Sequence, residues 1–150
     1  MTLKTTLAKE IVVRMPNKIG ALDRMAKAIS DKGIDILAVS AWVEGTEAVI
    51  RLVTDDNLRA MDMLRSHKYE AREAEVVVAE ALHKPGMLHS ICAKLAQGGI
   101  EIHHLYATAM TTQDHSLVVF ASANNDRAMV LLNSAGAIPF PVDSLIDTDA

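Results

Sequence analysis

Cysteine is almost absent from this 150-residue sequence. Cys92 stands alone, which excludes an internal disulfide framework and a cysteine-based zinc site. Long hydrophobic runs are also missing. Stretches such as Val76–Ala79 and Leu117–Ala121 fall far short of the roughly 20 apolar residues that a membrane span needs. There is no excess of positive charge: 15 basic residues stand against 19 acidic ones, for a net charge of −4. That balance argues against a protein that coats nucleic acid. No nucleophile-elbow pattern and no Walker-type glycine loop occurs. The stretch Met1–Lys9 has no signal-peptide hydrophobic core, so a soluble protein of a reducing, cytoplasmic compartment is expected. What the chain does have is apolar content, 50% of its residues with 23% charged, which excludes general disorder.

The sequence is written twice. A shift of 66 places Lys18, Gly20, Leu22, Gly33, Ile34, Ile36 and Ala41 on Lys84, Gly86, Leu88, Gly99, Ile100, Ile102 and Ala107. Further along, a shift of 68 aligns Asn57, Arg59, Ala60, Met61, Leu64 and Ser66 with Asn125, Arg127, Ala128, Met129, Leu132 and Ser134. The two extra residues fall within Met110–His115, opposite Glu44–Glu47 of the first copy, and fit a hairpin tip where length is tolerated.

Each copy has the same order of patterns. Ile11, Val13 and Met15 alternate as in a strand, and Val76–Ala79 is a more uniformly apolar counterpart. Helical stripes follow at Leu22, Met25, Ala26 and Ile29, and at Leu88, Ile91, Cys92 and Leu95. Both helices should end at a glycine in the left-handed conformation, Gly33 or Gly99. Two strands joined by a hairpin come next. A second helix then starts near Asp56 or Asn125, capped by these side chains. A short last strand is expected around Glu70–Ala74 and Ala137–Val142, where Pro139 and Pro141 suit an unpaired edge.

The order is βαββαβ, twice, with each βαβ crossover right-handed and both helices on one sheet face. The expected fold is α+β: two ferredoxin-like modules with antiparallel sheets, at residues 9–74 and 75–142. Exposed sheet edges and an open sheet face predict a homodimer.

The turn between first strand and first helix carries the most suggestive chemistry. A helix start presents unpaired N–H groups and a partial positive charge, and glycine admits a ligand to the backbone. The N–H groups around Gly20-Ala21-Leu22 and Gly86-Met87-Leu88 are thus candidates for holding a carboxylate. Pro85 is suited to a helical start, and Asn17 to capping the helix or bonding a ligand. Lys18 and Lys84 either draw an anion to the helix start or remain solvated.

The turns Asn17-Lys-Ile-Gly20-Ala-Leu22 and His83-Lys-Pro-Gly86-Met-Leu88, with the strand openings Gly33-Ile-Asp-Ile36 and Gly99-Ile-Glu-Ile102, resemble ACT domains over about residues 9–142. ACT domains are regulatory modules of amino-acid metabolism that bind small molecules, most often amino acids. The resemblance is to the stand-alone tandem type, and it implies a ligand lying where modules meet. The site would lie between the first turn of one module and the second-strand start of its neighbour. Asn17, Gly20, Ala21 and Leu22 would hold the carboxylate end in one copy, and His83, Gly86, Met87 and Leu88 in the other. Asp35 and Glu101 would attract the ammonium group. Lys18, Ile19, Ile36, Lys84, Pro85 and Ile102 complete the candidate set. The chain departs from the family pattern at Ile19, where proline is usual, and at His83, which replaces an acidic or amide residue.

No cofactor and no metal is expected. His103 and His104 are adjacent on a strand and point apart, and no histidine pair has the i, i+4 spacing of a zinc motif. Cys92 takes the place of Ala26 and reads as a small core residue. Trp42, near a strand end, is suited to covering the sheet or a neighbouring module and to reporting by fluorescence. The leading reading is a non-catalytic sensor of a small molecule such as an amino acid, acting on an enzyme partner and bound to neither nucleic acid nor membrane. An acylphosphatase-like enzyme would need an arginine at the turn, yet Arg14 precedes it and Arg24 lies one helical turn inside.

Overall fold

The computed structural model describes residues 3–108 and 114–134. Within them are β1 (Leu3–Pro16), α1 (Ala21–Asp31), β2 (Ile36–Glu44), β3 (Glu47–Thr54), α2 (Asn57–Ser66) and β4 (Glu70–Leu82). Then follow α3 (Met87–Gln97), β5 (Ile102–Ala107), β6 (His115–Ser122) and α4 (Asn125–Ser134). Two compact units emerge, Lys9–Ala74 and a second that joins the chain from Glu75 onward to the N-terminal residues up to Ala8.

In the first unit the strand order is β2-β3-β1-β4. Antiparallel pairing sets Ile11 opposite Leu52 and Val13 opposite Ile50, with Val39 and Ala41 of β2 beyond them. Because side chains alternate across a strand, Ile11, Val13, Met15, Ile50 and Leu52 share one face. There they meet Met25 and Ile29 of α1 and Ala60, Met61 and Leu64 of α2. Of the stripes read from the sequence, Met25, Ile29, Ala60, Met61 and Leu64 are buried, whereas Leu22, at the start of α1, is 46% exposed; each fully buried aliphatic contributes roughly 1.5–3 kcal/mol.

The second unit repeats this arrangement. Val77 faces Phe120 and Ala79 faces Val118 between β4 and β6, while Leu105 and Ala107 of β5 flank the same β6 residues. Ile91, Leu95, Ala128 and Leu132 from α3 and α4 cover that face. Its fourth strand position is taken by the start of β1: Leu3 is buried in the core with Val77, Ala79 and Phe120, and Thr5 Oγ1 donates to Asn133 Oδ1 at 2.9 Å. The strand expected at Ala137–Val142, with Pro139 and Pro141, lies outside the described residues, as do 109–113 of the hairpin tip.

The helix ends follow local chemistry in both copies. Gly33 and Gly99 have φ of +71° and +70°, and the N–H groups of Ile34 and Ile100 return to the carbonyls of Ile29 and Leu95. Asp56 caps α2 by accepting from the Arg59 N–H at 3.1 Å. In α4 the equivalent cap is Asn124, which accepts from the Arg127 N–H, and Asn125 is the first helical residue. Asn57 and Asn125 do a different job. Asn57 accepts from Thr54 and donates to the Lys9 carbonyl; Asn125 accepts from Ser122 and donates to Glu75 Oε1 at 3.3 Å.

One expectation about the sheet needs correction. The face turned away from the helices is not bare, because Val12, Val49 and Val53 of the first unit are at most 7% exposed. An open sheet face therefore gives no reason for dimerisation, and the argument for it rests on the strand edges.

Candidate ligand-binding site at the first glycine turn

Both glycine turns have the same backbone geometry. The Ala21 N–H donates to the Lys18 carbonyl at 3.0 Å and the Met87 N–H to the Lys84 carbonyl at 3.2 Å. Gly20 has φ +84° and ψ −4°, and Gly86 has φ +89° and ψ −3°. These are the values of the third residue of a type II turn, which needs glycine there and favours proline just before it. Pro85 thus serves the turn rather than the first turn of α3, which begins at Met87. Ile19 occupies the proline position of the first copy with its side chain fully exposed. Ile19→Pro is accordingly expected to stabilise the protein by about 0.4–1 kcal/mol, mainly by restricting the unfolded chain. Paired urea melts check this, and a loss of stability would contradict the turn assignment.

The turn also changes which amides are available. Ala21 and Met87 spend their N–H groups on the turn, so they do not face a ligand as the sequence suggested. The Gly20 N-cap brings no side-chain bond, and the N–H groups of Leu22 and Asp23 have no acceptor among the described residues. They remain to bind an anion at the positive end of α1. Arg24 folds back toward this turn: a Cβ placed on Gly20 would lie 3.0 Å from Arg24 Nη1.

Beside these amides lies a cavity of about 180 Å³, lined by Asn17, Lys18, Ala21, Leu22, Ala41, Trp42, Val43, Ala48 and Ile50. Its lining is mostly apolar, with Asn17 and Lys18 as the polar groups. Trp42 is the only tryptophan of the chain, and its ring is tethered from two sides. Its Nε1–H donates to Glu44 Oε1 at 2.9 Å, and the Arg51 guanidinium lies 5.7 Å from the ring centroid. Arg51 is in turn bonded to Glu10, which is fully buried. Because Trp42 pairs with Val49 rather than Ile50, its ring stands with Arg51 and Glu44 on the sheet face away from α1, a cluster that sequence reading missed since cross-strand neighbours carry no fixed sequence spacing.

Glu44 also accepts from Arg14 at 3.3 Å, and the Trp42 indole and the Arg14 guanidinium hold its carboxyl below the ordinary 4.5. A carboxyl lowered on folding contributes stability above its unfolded pKa and loses that contribution as pH falls through the lower folded value. Glu44→Gln is therefore expected to melt slightly earlier than wild type at pH 6, with the gap closing below pH 4.5. Thermal melts across pH 3–6 decide this, and a gap that widens on acidification would contradict the pairing.

The second copy shares the turn but not the lining. Asn17 and His83 make equivalent backbone bonds, to the carbonyls of Thr46 and Asp114. Among the described residues the Asn17 side chain makes no hydrogen bond, whereas the His83 ring Nδ1 is 2.9 Å from Ser116 Oγ. By the repeat alignment Trp42 corresponds to Thr108 and Ala48 to Ser116. Thr108 Oγ1 is already engaged by the Leu117 N–H. His83, Lys84, Pro85, Gly86, Met87 and Leu88 therefore surround a turn whose polar neighbours, among the described residues, are bonded to one another.

The remaining candidates are not brought to either turn within their own module. Asp35 and Ile36 lie beyond the C-terminal end of α1, whose 11 residues put about 16 Å of helix between them and Gly20. The Asp35 backbone is tied to Asp55, and Ile36 packs on the core. Glu101 and Ile102 stand in the same relation to α3, with Ile102 against the second core. A register shift between Ile102 and His104 interrupts the strand alternation assumed for the histidine pair. The two rings nonetheless have separate surroundings, His103 near Glu101 at 4.0 Å and His104 stacked on Tyr106 with centroids 6.2 Å apart. Among the described residues no helix is long and apolar enough to cross a membrane.

A family model described as an ACT domain pair matches residues 5–137. No curated protein matches the sequence. Among solved structures, protein BT0572 from Bacteroides thetaiotaomicron is similar with a TM-score of 0.78 and 20% identity, over 87% of this chain and 89% of that one. The regulatory subunit of aspartate kinase from Thermus thermophilus, in a ligand-free form, gives a TM-score of 0.62 at 13% identity, over 88% and 96%. Aspartate kinase from Synechocystis gives 0.61 at 18% identity, over 93% of this chain and 28% of that one. At these identities the likeness is one of fold.

Proposed function

The chain belongs to the family of paired ACT domains, and from that premise we propose that it is a regulatory protein whose first module binds an amino acid at the Gly20 turn. The observation that carries the reading is the juxtaposition of two bare amides, Leu22 and Asp23, with the mostly apolar cavity between the start of α1 and β2. The carboxylate takes the amides, assisted by Lys18. The side chain takes the cavity, and the Asn17 amide is left for the ammonium group. A volume of about 180 Å³ is below the roughly 300–1,000 Å³ of drug-sized pockets and matches a ligand of amino-acid size.

This cavity adjoins β2, which lies at the edge of the first unit's sheet. Exposed Ile19, Leu22, Val39 and Val43 lie on or near that edge. A second copy seated there would cover them, close the cavity and place its own strand opening near the ligand, giving a homodimer. Regulation then follows from linkage: a ligand that binds only the assembled arrangement favours it by RT ln(1 + [L]/Kd). An enzyme of amino-acid metabolism that distinguishes the two arrangements is the proposed partner, as the aspartate kinase neighbours illustrate. Thermal-shift screening against the twenty amino acids tests the reading. At least one should raise the melting temperature saturably, and a flat panel from folded protein would leave only a structural or partner-binding role.

The position of Arg24 bears on an enzymatic alternative. Its guanidinium reaches the turn from inside the helix, so the arginine that an acylphosphatase-like site needs is not missing from the first copy. Asn17 stands in the same turn. Benzoyl phosphate hydrolysis at the uncatalysed rate is expected for a purely regulatory protein. Turnover abolished by Arg24→Ala would replace the regulatory reading with an enzymatic one.

A further inference from the structure

On the side of the Gly20 turn nearer α2 lies a larger cavity, about 460 Å³, formed wholly within the first unit. It is lined by four cationic side chains, Arg14, Lys18, Arg24 and Lys68, against two carboxylates, Glu47 and Glu70. The surplus of two positive charges stands out on a chain whose net charge is −4. Arg14 is already paired, 3.3 Å from Glu44 and 3.7 Å from Glu47. Among the described residues, Lys18, Arg24 and Lys68 have no carboxylate at ion-pair distance. Three unpaired cations around one concavity repel each other unless an anion is shared between them.

Lys68 adds an independent observation. Its φ of +66° is left-handed, a conformation that a residue with a Cβ rarely adopts. The corresponding residue of the second copy is Gly136, the type that suits such a C-terminal cap. Arg14 and Arg24 likewise correspond to Glu80 and Ser90. Apart from Lys18, which Lys84 matches, the cationic lining is therefore particular to the first copy, and at Lys68 it is kept against the conformational preference of the backbone.

We propose that this cavity binds a small phosphate ester, its phosphate shared by Lys18, Arg24 and Lys68 and its organic part lying over Met15 and Tyr69. A phosphate dianion matches the surplus charge. The guanidinium fork with two ammonium groups supplies the several charge-assisted bonds that its three oxygens accept. The volume falls in the range of small-molecule sites. This ligand is distinct from the amino acid proposed above, and the two cavities share only Lys18 and Ala21.

The test is a titration of the ¹⁵N-labelled full chain with inorganic phosphate, glycerol 3-phosphate and adenosine 5′-monophosphate, with glycerol and adenosine as uncharged controls. At least one phosphate compound should shift the Lys18, Arg24 and Lys68 amides saturably while its control does not. The double variant Arg24→Ser, Lys68→Gly carries the residues of the second copy, and Lys68→Gly removes the left-handed strain. It should fold at least as stably as wild type and lose affinity at least tenfold. Absence of a saturable shift with all three compounds, equal shifts from the controls, or unchanged affinity in the double variant would overturn the assignment.

Discussion

Gly20→Asp abolishes the amino-acid-induced rise in melting temperature, whereas Gly86→Asp leaves it in place: this contrast is the first expected result. Both glycines hold nearly the same left-handed φ, so each substitution carries a similar backbone cost, on the order of 1–2 kcal/mol. They differ in what surrounds them. A side chain on Gly20 meets Arg24 Nη1 at 3.0 Å, and its carboxylate lies beside the Leu22 and Asp23 amides, where it competes with any bound carboxylate. Among the described residues, nothing lies within 4 Å of a Cβ on Gly86. At a ligand concentration 100 times Kd the stabilisation lost in Gly20→Asp amounts to about 2.7 kcal/mol. Differential scanning of the three proteins with and without ligand measures it. Retention of the shift in Gly20→Asp, or its loss in Gly86→Asp alone, would move the site to the second copy.

Leu3→Ala is the second, and it concerns the fold. Leu3 is 1% exposed and packs in the second core with Val77, Ala79 and Phe120, although it lies more than seventy residues from them in the chain. Truncating such a leucine removes its transfer free energy and leaves a cavity, a combined cost of about 2–5 kcal/mol. Leu7, four residues on and 38% exposed, serves as the control, for which a change within roughly 0.5 kcal/mol is expected from Leu7→Ala. Urea unfolding followed by the amides of β6 reads the loss where it arises. A Leu3→Ala protein as stable as wild type would show that the start of β1 is not part of the second module.

The contrast between these residues shows what the sequence made legible. Periodicity found the helices of the described residues because Met25, Ile29, Met61, Leu64, Ile91, Leu95 and Leu132 are apolar, regularly spaced and buried. It placed Gly33 and Gly99 correctly because a left-handed cap is a local demand of the backbone. It failed at Leu3–Thr6, four consecutive buried residues of which Lys4, Thr5 and Thr6 are polar. Such a segment has no alternation to detect, and its partners lie at the other end of the chain. The glycine turns were visible as repeats, but Pro85 was assigned to the helix since a proline before Gly86 suits a turn as well as a helix start. The polar cluster on the other face of the same strands was not visible at all. Trp42, Arg51, Glu10 and Glu44 are brought together by strand register, and no single-sequence pattern encodes register between strands.

Titration of Trp42 fluorescence with each of the twenty amino acids tests the central claim most directly, because the only tryptophan of the chain stands on β2 beside the proposed cavity, its indole bonded to Glu44. The account predicts a saturable change in intensity or emission wavelength with at least one amino acid, absent from Gly20→Asp and preserved in Gly86→Asp. An indole signal indifferent to all twenty, from protein that is folded and melts cooperatively, would contradict it.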